Sequence, residues 1–186
     1  MIEQQRPSPA VNALMRELGA TIPMLTQTYQ DVRGRLPRLQ YKSGGTSHLI
    51  GIALDVVLHK RVPNHRILAH HLVALFVRYA DQMRWSQIIY EQSNWVRRGN
   101  SVQYLIYTRD SRHDSHIHID WWKTGAIEGN TINIPANANI TGFAQTMRND
   151  LLQVSNLWSN NQLTILDLPT DPLSMRLVQT VGSRMR

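Results

Sequence analysis

His116, His118 and Asp120 alternate with Ile117, Ile119 and Trp121, and an extended strand is the backbone that sorts the two sets onto opposite faces. The apolar set requires a core and the polar set an open side, so this run predicts a sheet covered by helices on one face only. The same period of two recurs from Ile52 to Leu58, where Ala53, Asp55 and Val57 share one face and Ile52, Leu54 and Val56 the other. Gln87 to Glu91 and Tyr104 to Thr108 are further short runs rich in Ile and Tyr. They are set apart by the polar turn Arg97-Arg98-Gly99-Asn100 and by Arg109 to Ser115. With the His116 run they read as consecutive antiparallel strands.

Helical spacing accounts for much of the remainder. Val11, Leu14, Met15 and Leu18 line one face of a predicted helix from Pro9 to Leu18, with Gly19 as its stop. A short second helix is expected around Met24 to Val32. Asn64 is the expected N-cap of a helix reaching to about Met83, whose Ile67, Leu68, Leu72, Leu75, Phe76 and Tyr79 recur at helical intervals. Gly142 to Trp158 repeats the pattern through Met147, Leu151, Leu152 and Val154. Three segments follow: a helical amino-terminal extension over 1–40, a core over 41–125 and a helical carboxy-terminal extension over 126–186.

The chain has 186 residues, 42% of them hydrophobic, which suits one domain with a substantial core. It has no cysteine, so any metal must be held by imidazole and carboxylate, which excludes thiolate zinc fingers and leaves a catalytic type of site open. No stretch approaches the roughly 20 apolar residues of a membrane span. The amino terminus, Met1 to Pro7, lacks a basic start followed by an apolar run, so the expectation is cytoplasmic synthesis with release by lysis or by a secretion or injection system. A net charge of +7 favours an anionic partner, and charge alone does not choose among cell-wall polymer, membrane surface and nucleic acid.

Residues able to ligate a metal occur in three places. His48 lies in an expected loop after Tyr41 to Ser47, Asp55 on the strand that follows, and His116 and His118 on the later strand. Gly51 is the residue expected to let the backbone turn between His48 and Asp55, and Ala53 is small enough to share the Asp55 face without filling a site. His59, His65, His70 and His71 have no partner at ligand spacing and read as surface or packing residues. Asp114, Asp120 and His113 read as turn and strand-edge residues, with His113 as an alternative proton carrier beside the cleft.

The pattern His-x-x-Gly-x-Ala-x-Asp, met by His48, Gly51, Ala53 and Asp55 and followed by a His-x-His strand, resembles the D-alanyl-D-alanine metallopeptidase superfamily. That group also holds peptidoglycan endopeptidases and the Hedgehog amino-terminal domain. The run Trp85 to Glu91 is similar to the strand that ends in the superfamily's catalytic Glu. The resemblance implies one zinc ion per chain held by His48, Asp55 and His118, with Glu91 as general base and His116 as a hydrogen-bond donor to the oxyanion. It also implies substrate binding by a basic residue, for which Lys42 and Arg38 are the candidates.

Two departures accompany it. An inserted hairpin from Trp95 to Ser115 separates Glu91 from the histidine pair, and Lys42 stands where many relatives have an Arg, losing the bidentate fork. The resulting expectation is an α+β fold with an antiparallel sheet of about four strands, helices packed on one face and a zinc cleft on the other. The expected activity is zinc-dependent hydrolysis of peptidoglycan stem or cross-link peptides, with no nucleic-acid partner. A delivered toxin or effector protease acting on a target-cell protein, or a non-catalytic zinc-stabilised binding module, are the alternatives.

Overall fold

The computed structural model describes residues 7–26, 38–40, 46–58, 62–98, 101–108, 113–121 and 140–164. Its elements are α1 (Pro9–Thr21), a short 3-10 turn (Pro23–Thr26), β1 (Arg38–Gln40), α2 (Thr46–Leu49), β2 (Ala53–Val57), α3 (Pro63–Arg78), α4 (Ala80–Met83), β3 (Trp85–Tyr90), β4 (Ser93–Arg98), β5 (Ser101–Ile106), β6 (His116–Trp121) and α5 (Ile140–Ser159). The fold is α+β, built on one open antiparallel sheet of six strands in the order β1-β2-β6-β3-β4-β5.

Six strands replace the expected four, and neither addition carries a clear local signal. β1 is only three residues long and lies in a basic stretch without alternation. β4 begins where no turn residue announces it, because Glu91 and Gln92 adopt φ of 45° and 67° between the paired Tyr90 and Ser93. This is a two-residue hairpin turn of the kind that normally selects Gly or Asn. The strands are also not consecutive in space: β6 inserts between β2 and β3.

Alternation then fixes the layers. Leu54 and Val56 of β2, Ile117 and Ile119 of β6, and Ile88 and Tyr90 of β3 share one buried core with Leu14 and Leu18 of α1, Leu68, Leu72 and Phe76 of α3, and Met147 and Leu151 of α5. Burying a side chain of this size contributes roughly 1.5–3 kcal/mol, so this face holds the sheet to its helices. Two indoles complete the join. Trp85 donates its ring N–H to the Phe76 carbonyl at 2.7 Å and Trp121 donates to that of Met83 at 2.9 Å, which satisfies the polar atom each ring brings into the core.

Helix ends differ from expectation in readable ways. Ser8 caps α1, accepting from the Val11 N–H at 3.3 Å, and the helix runs past Gly19 to Thr21. At α3 the cap is Val62, with no side-chain bond, because Pro63 already supplies a pre-set first helical residue and displaces Asn64 from that role. The helix expected to reach Met83 breaks at Tyr79 into α3 and α4. His70 and His71 are buried in α3, whereas His59 and the residues from 165 onward lie outside the described residues.

A candidate metal centre on the open face of the sheet

Asp55 sits at the middle of β2, and the β2–β6 register sets it directly opposite His118. Cross-strand neighbours stand about 4.5–5.5 Å apart at Cβ, so register alone brings this carboxylate beside this imidazole. His48 arrives by a different route. It lies on the short helix α2 and not in the expected loop, and Gly51 ends that helix with φ 74°. The Gly51 N–H bonds to the His48 carbonyl and the Ile52 N–H to that of Ser47, both at 3.0 Å. These paired bonds, closed by a left-handed glycine, are the Schellman arrangement. They reverse the chain so that the helix side chain faces the strand that follows. The Ser8 N–H donates to the Gly51 carbonyl at 2.8 Å, tying the start of α1 to the same turn.

Ligand geometry follows from these placements. His48 Nε2 lies 3.2 Å from Asp55 Oδ1, and His118 Nδ1 lies 2.9 Å from the same oxygen. The ligand atoms of His48, Asp55 and His118 all fall within 4.8 Å of one another. Ligands held tetrahedrally at about 2.0–2.1 Å from an ion stand about 3.3 Å apart, which the two distances to Asp55 Oδ1 match. These three residues form a group able to hold a metal ion, and they are the three that the resemblance implies. His48 and Asp55 are buried and His118 is half-buried.

Burial by itself would raise the Asp55 carboxyl, but hydrogen bonds with His118 and His48 outweigh it and hold the group well below the usual carboxylate range. For His118, burial would lower the imidazole, yet its bonds to Asp120 and Asp55 push it up to about 9. The Asp55–His118 bond contributes to both shifts, with His48 adding to the first and Asp120 to the second. His116, with Nε2 3.8 Å from Asp55 Oδ1, is shifted down, chiefly by burial. It is therefore a neutral base at pH 7 beside a charged pair.

Of the three residues of the group, His118 also lines a cleft of about 430 Å³, together with Ser47, Gln87, Ile89, Asn94, His113 and Asp120. Gln87 donates an amide N–H to the Asn94 side-chain carbonyl at 2.8 Å, which leaves the Gln87 carbonyl and the Asn94 amide N–H groups for a ligand. The His113 ring lies 4.9 Å from that of His116 and 5.4 Å from that of His118. Its backbone is left-handed, with φ 45°. A lone histidine in a polar loop carries no pattern, so only its place three residues before His116 hints at this position.

Glu91 is placed elsewhere. Its carboxylate forms a bidentate pair with Arg66 of α3, at 2.8 and 3.1 Å, and lies 3.7 Å from His70 Nε2. Strand alternation would have sent it to the open face with Ile89, but the left-handed turn at Glu91 redirects the side chain toward the helices. Its backbone N–H donates to the His113 carbonyl at 3.1 Å, so Glu91 ties the segment leading into β6 to α3. Arg97 pairs with Asp81, at 3.2 Å. Arg38 opens β1, paired with Val57, and Lys42 lies outside the described residues. No family model, no curated protein and no solved structure matches this chain.

Proposed function

We propose that the chain is a zinc-dependent peptidase acting on peptidoglycan stem or cross-link peptides. The observation that carries this reading is the convergence of two imidazoles and one carboxylate, with ligand atoms within 4.8 Å of one another, beside a polar cleft that His118 also lines. That donor set, in a chain without cysteine, suits zinc with a fourth position left open. A bound zinc supplies Lewis acidity, polarising a carbonyl and making water nucleophilic near neutral pH.

The chain's own residues do the rest. His48, Asp55 and His118 hold the charge at one point of the sheet. His116, kept neutral by burial, accepts the proton of the attacking water at Nε2 and returns it to the leaving amine. His113 stacks edge-on against the His116 ring. The Gln87–Asn94 pair offers an uncharged acceptor and donor, which match a peptide group. Glu91, committed to Arg66, holds the scaffold in this mechanism and transfers no proton. The peptidoglycan assignment comes from the resemblance of the His48–Asp55 motif, and the positive charge of the chain agrees with an anionic wall.

The test is incubation with purified peptidoglycan and, separately, with cell lysate, each with and without chelator and with zinc restored. Chelator-sensitive release of muropeptide fragments supports the proposal. Cleavage confined to a lysate protein transfers the reading to a protein substrate, and absence of both removes the peptidase assignment.

A further inference from the structure

β3 and β6 pair with a shift of register between Trp85 and Gln87: Trp85 faces Trp121 and Gln87 faces Asp120, which leaves Ser86 as the extra residue of a bulge. A bulge re-aims the side chain it carries. Here the Ser86 hydroxyl reaches the main-chain carbonyl of Asp120 at 2.9 Å and also the Asp120 carboxylate, at Oδ1. Ser86 is buried, so water does not compete for that hydroxyl. The other carboxylate oxygen, Oδ2, lies 3.5 Å from His118 Nε2. Ser86, Asp120 and His118 thus form a line that ends at the ring whose opposite nitrogen faces Asp55.

We propose that Asp120, steadied by Ser86, is a positioning residue for the metal centre, taking the Nε2–H of His118 so that Nδ1 presents its lone pair between Asp55 and His48. A ligating histidine has two nitrogens, and the partner of one decides the tautomer and the ring orientation of the other. His118 has free choice of neither. The register places Asp55 on one side of it, and the sequence places Asp120 two residues on, on the same strand face. Asp120 is itself paired across β2 with Ala53, a side chain too small to crowd it. The strand period supplies the carboxylate and the bulge supplies the residue that orients it.

This inference rests on the reading of His48, Asp55 and His118 as a metal site, and its test separates the two. Zinc alone is titrated into the full chain against a competing chelator, for the wild type, Asp120→Ala, Asp120→Asn and Ser86→Ala. Loss of an orienting partner typically weakens metal binding about 10–100-fold. Asp120→Ala is expected in that range, Ser86→Ala at its lower end, and Asp120→Asn nearer the wild type because its carbonyl still accepts from Nε2–H. Imidazole 15N shifts of the zinc-loaded wild type should show His118 protonated at Nε2 and ligating through Nδ1, a signature that a merely structural role does not produce. Zinc bound by the wild type and by Asp120→Ala with equal affinity overturns this inference alone. Failure of the wild type to bind zinc overturns the metal reading and this inference with it.

Discussion

Zinc entering the proposed centre must displace a proton from His118, and the structure sets how many and over what pH range. In the metal-free protein His118 lies between Asp55, 2.9 Å from Nδ1, and Asp120, 3.5 Å from Nε2, and these bonds push its pKa up to about 9. Asp55 is already ionised, because its carboxyl is held below the usual range. At pH 7 the His118 ring is therefore a cation with a proton on the nitrogen that the ion needs, and binding releases about one proton per zinc. Apparent affinity should then rise about tenfold per pH unit, or roughly 30-fold from pH 7.0 to 8.5, and flatten above about pH 9. Calorimetric titration in buffers of different ionisation enthalpy counts the proton directly, and chelator competition across the same range gives the slope. Affinity independent of pH between 7.0 and 8.5, with equal heats in all buffers, would refute the placement of His118 between two carboxylates.

The same ion pairs stabilise the metal-free fold in a pH window that follows from their signs. His118, raised from 6.5 to about 9, contributes fully below pH 6.5 and loses its contribution as pH climbs through about 9, so the melting temperature of chelator-treated protein should fall across that interval. Asp55 works in the other direction, with stability present above pH 3.8 and lost as the pH drops below it. Glu91→Gln removes the charge from a buried bidentate pair with Arg66 and is expected to cost about 2–4 kcal/mol in urea unfolding while leaving zinc content intact. Unchanged stability with hydrolysis abolished would return Glu91 to the role of proton acceptor. Gly51→Ala forces a Cβ into a φ of 74° and should cost about 1–2 kcal/mol, with a parallel loss of metal affinity as the α2 turn loosens. Equal stability of the two proteins would mean that the turn does not need its glycine.

Much of the centre is legible in the sequence because its parts are set by short-range rules. The alternation of His116, His118 and Asp120 with Ile117, Ile119 and Trp121 is a strand with one core face, and the structure keeps it so. Gly51 is expected to turn the chain between His48 and Asp55, and it does, as the left-handed residue of a helix end. What was not legible depended on pairing across the sheet. β4 carries no alternation, since Ser93, Asn94 and Trp95 are all buried, and its turn is made by Glu91 and Gln92 without Gly or Asn. That hidden turn misdirects any reading of Glu91, because a left-handed residue rotates the side chain off the face that strand parity assigns. The insertion of β6 between β2 and β3 likewise has no local signal, and it is what brings Ser86 to Asp120.

Metal content of the purified chain tests the account at its centre. It predicts one zinc per chain in the wild type, retained in His116→Ala and Glu91→Gln and lost in each of His48→Ala, Asp55→Ala and His118→Ala. Zinc present at an unchanged ratio in His118→Ala, or no zinc in the wild type after growth and purification with the metal supplied, would contradict it.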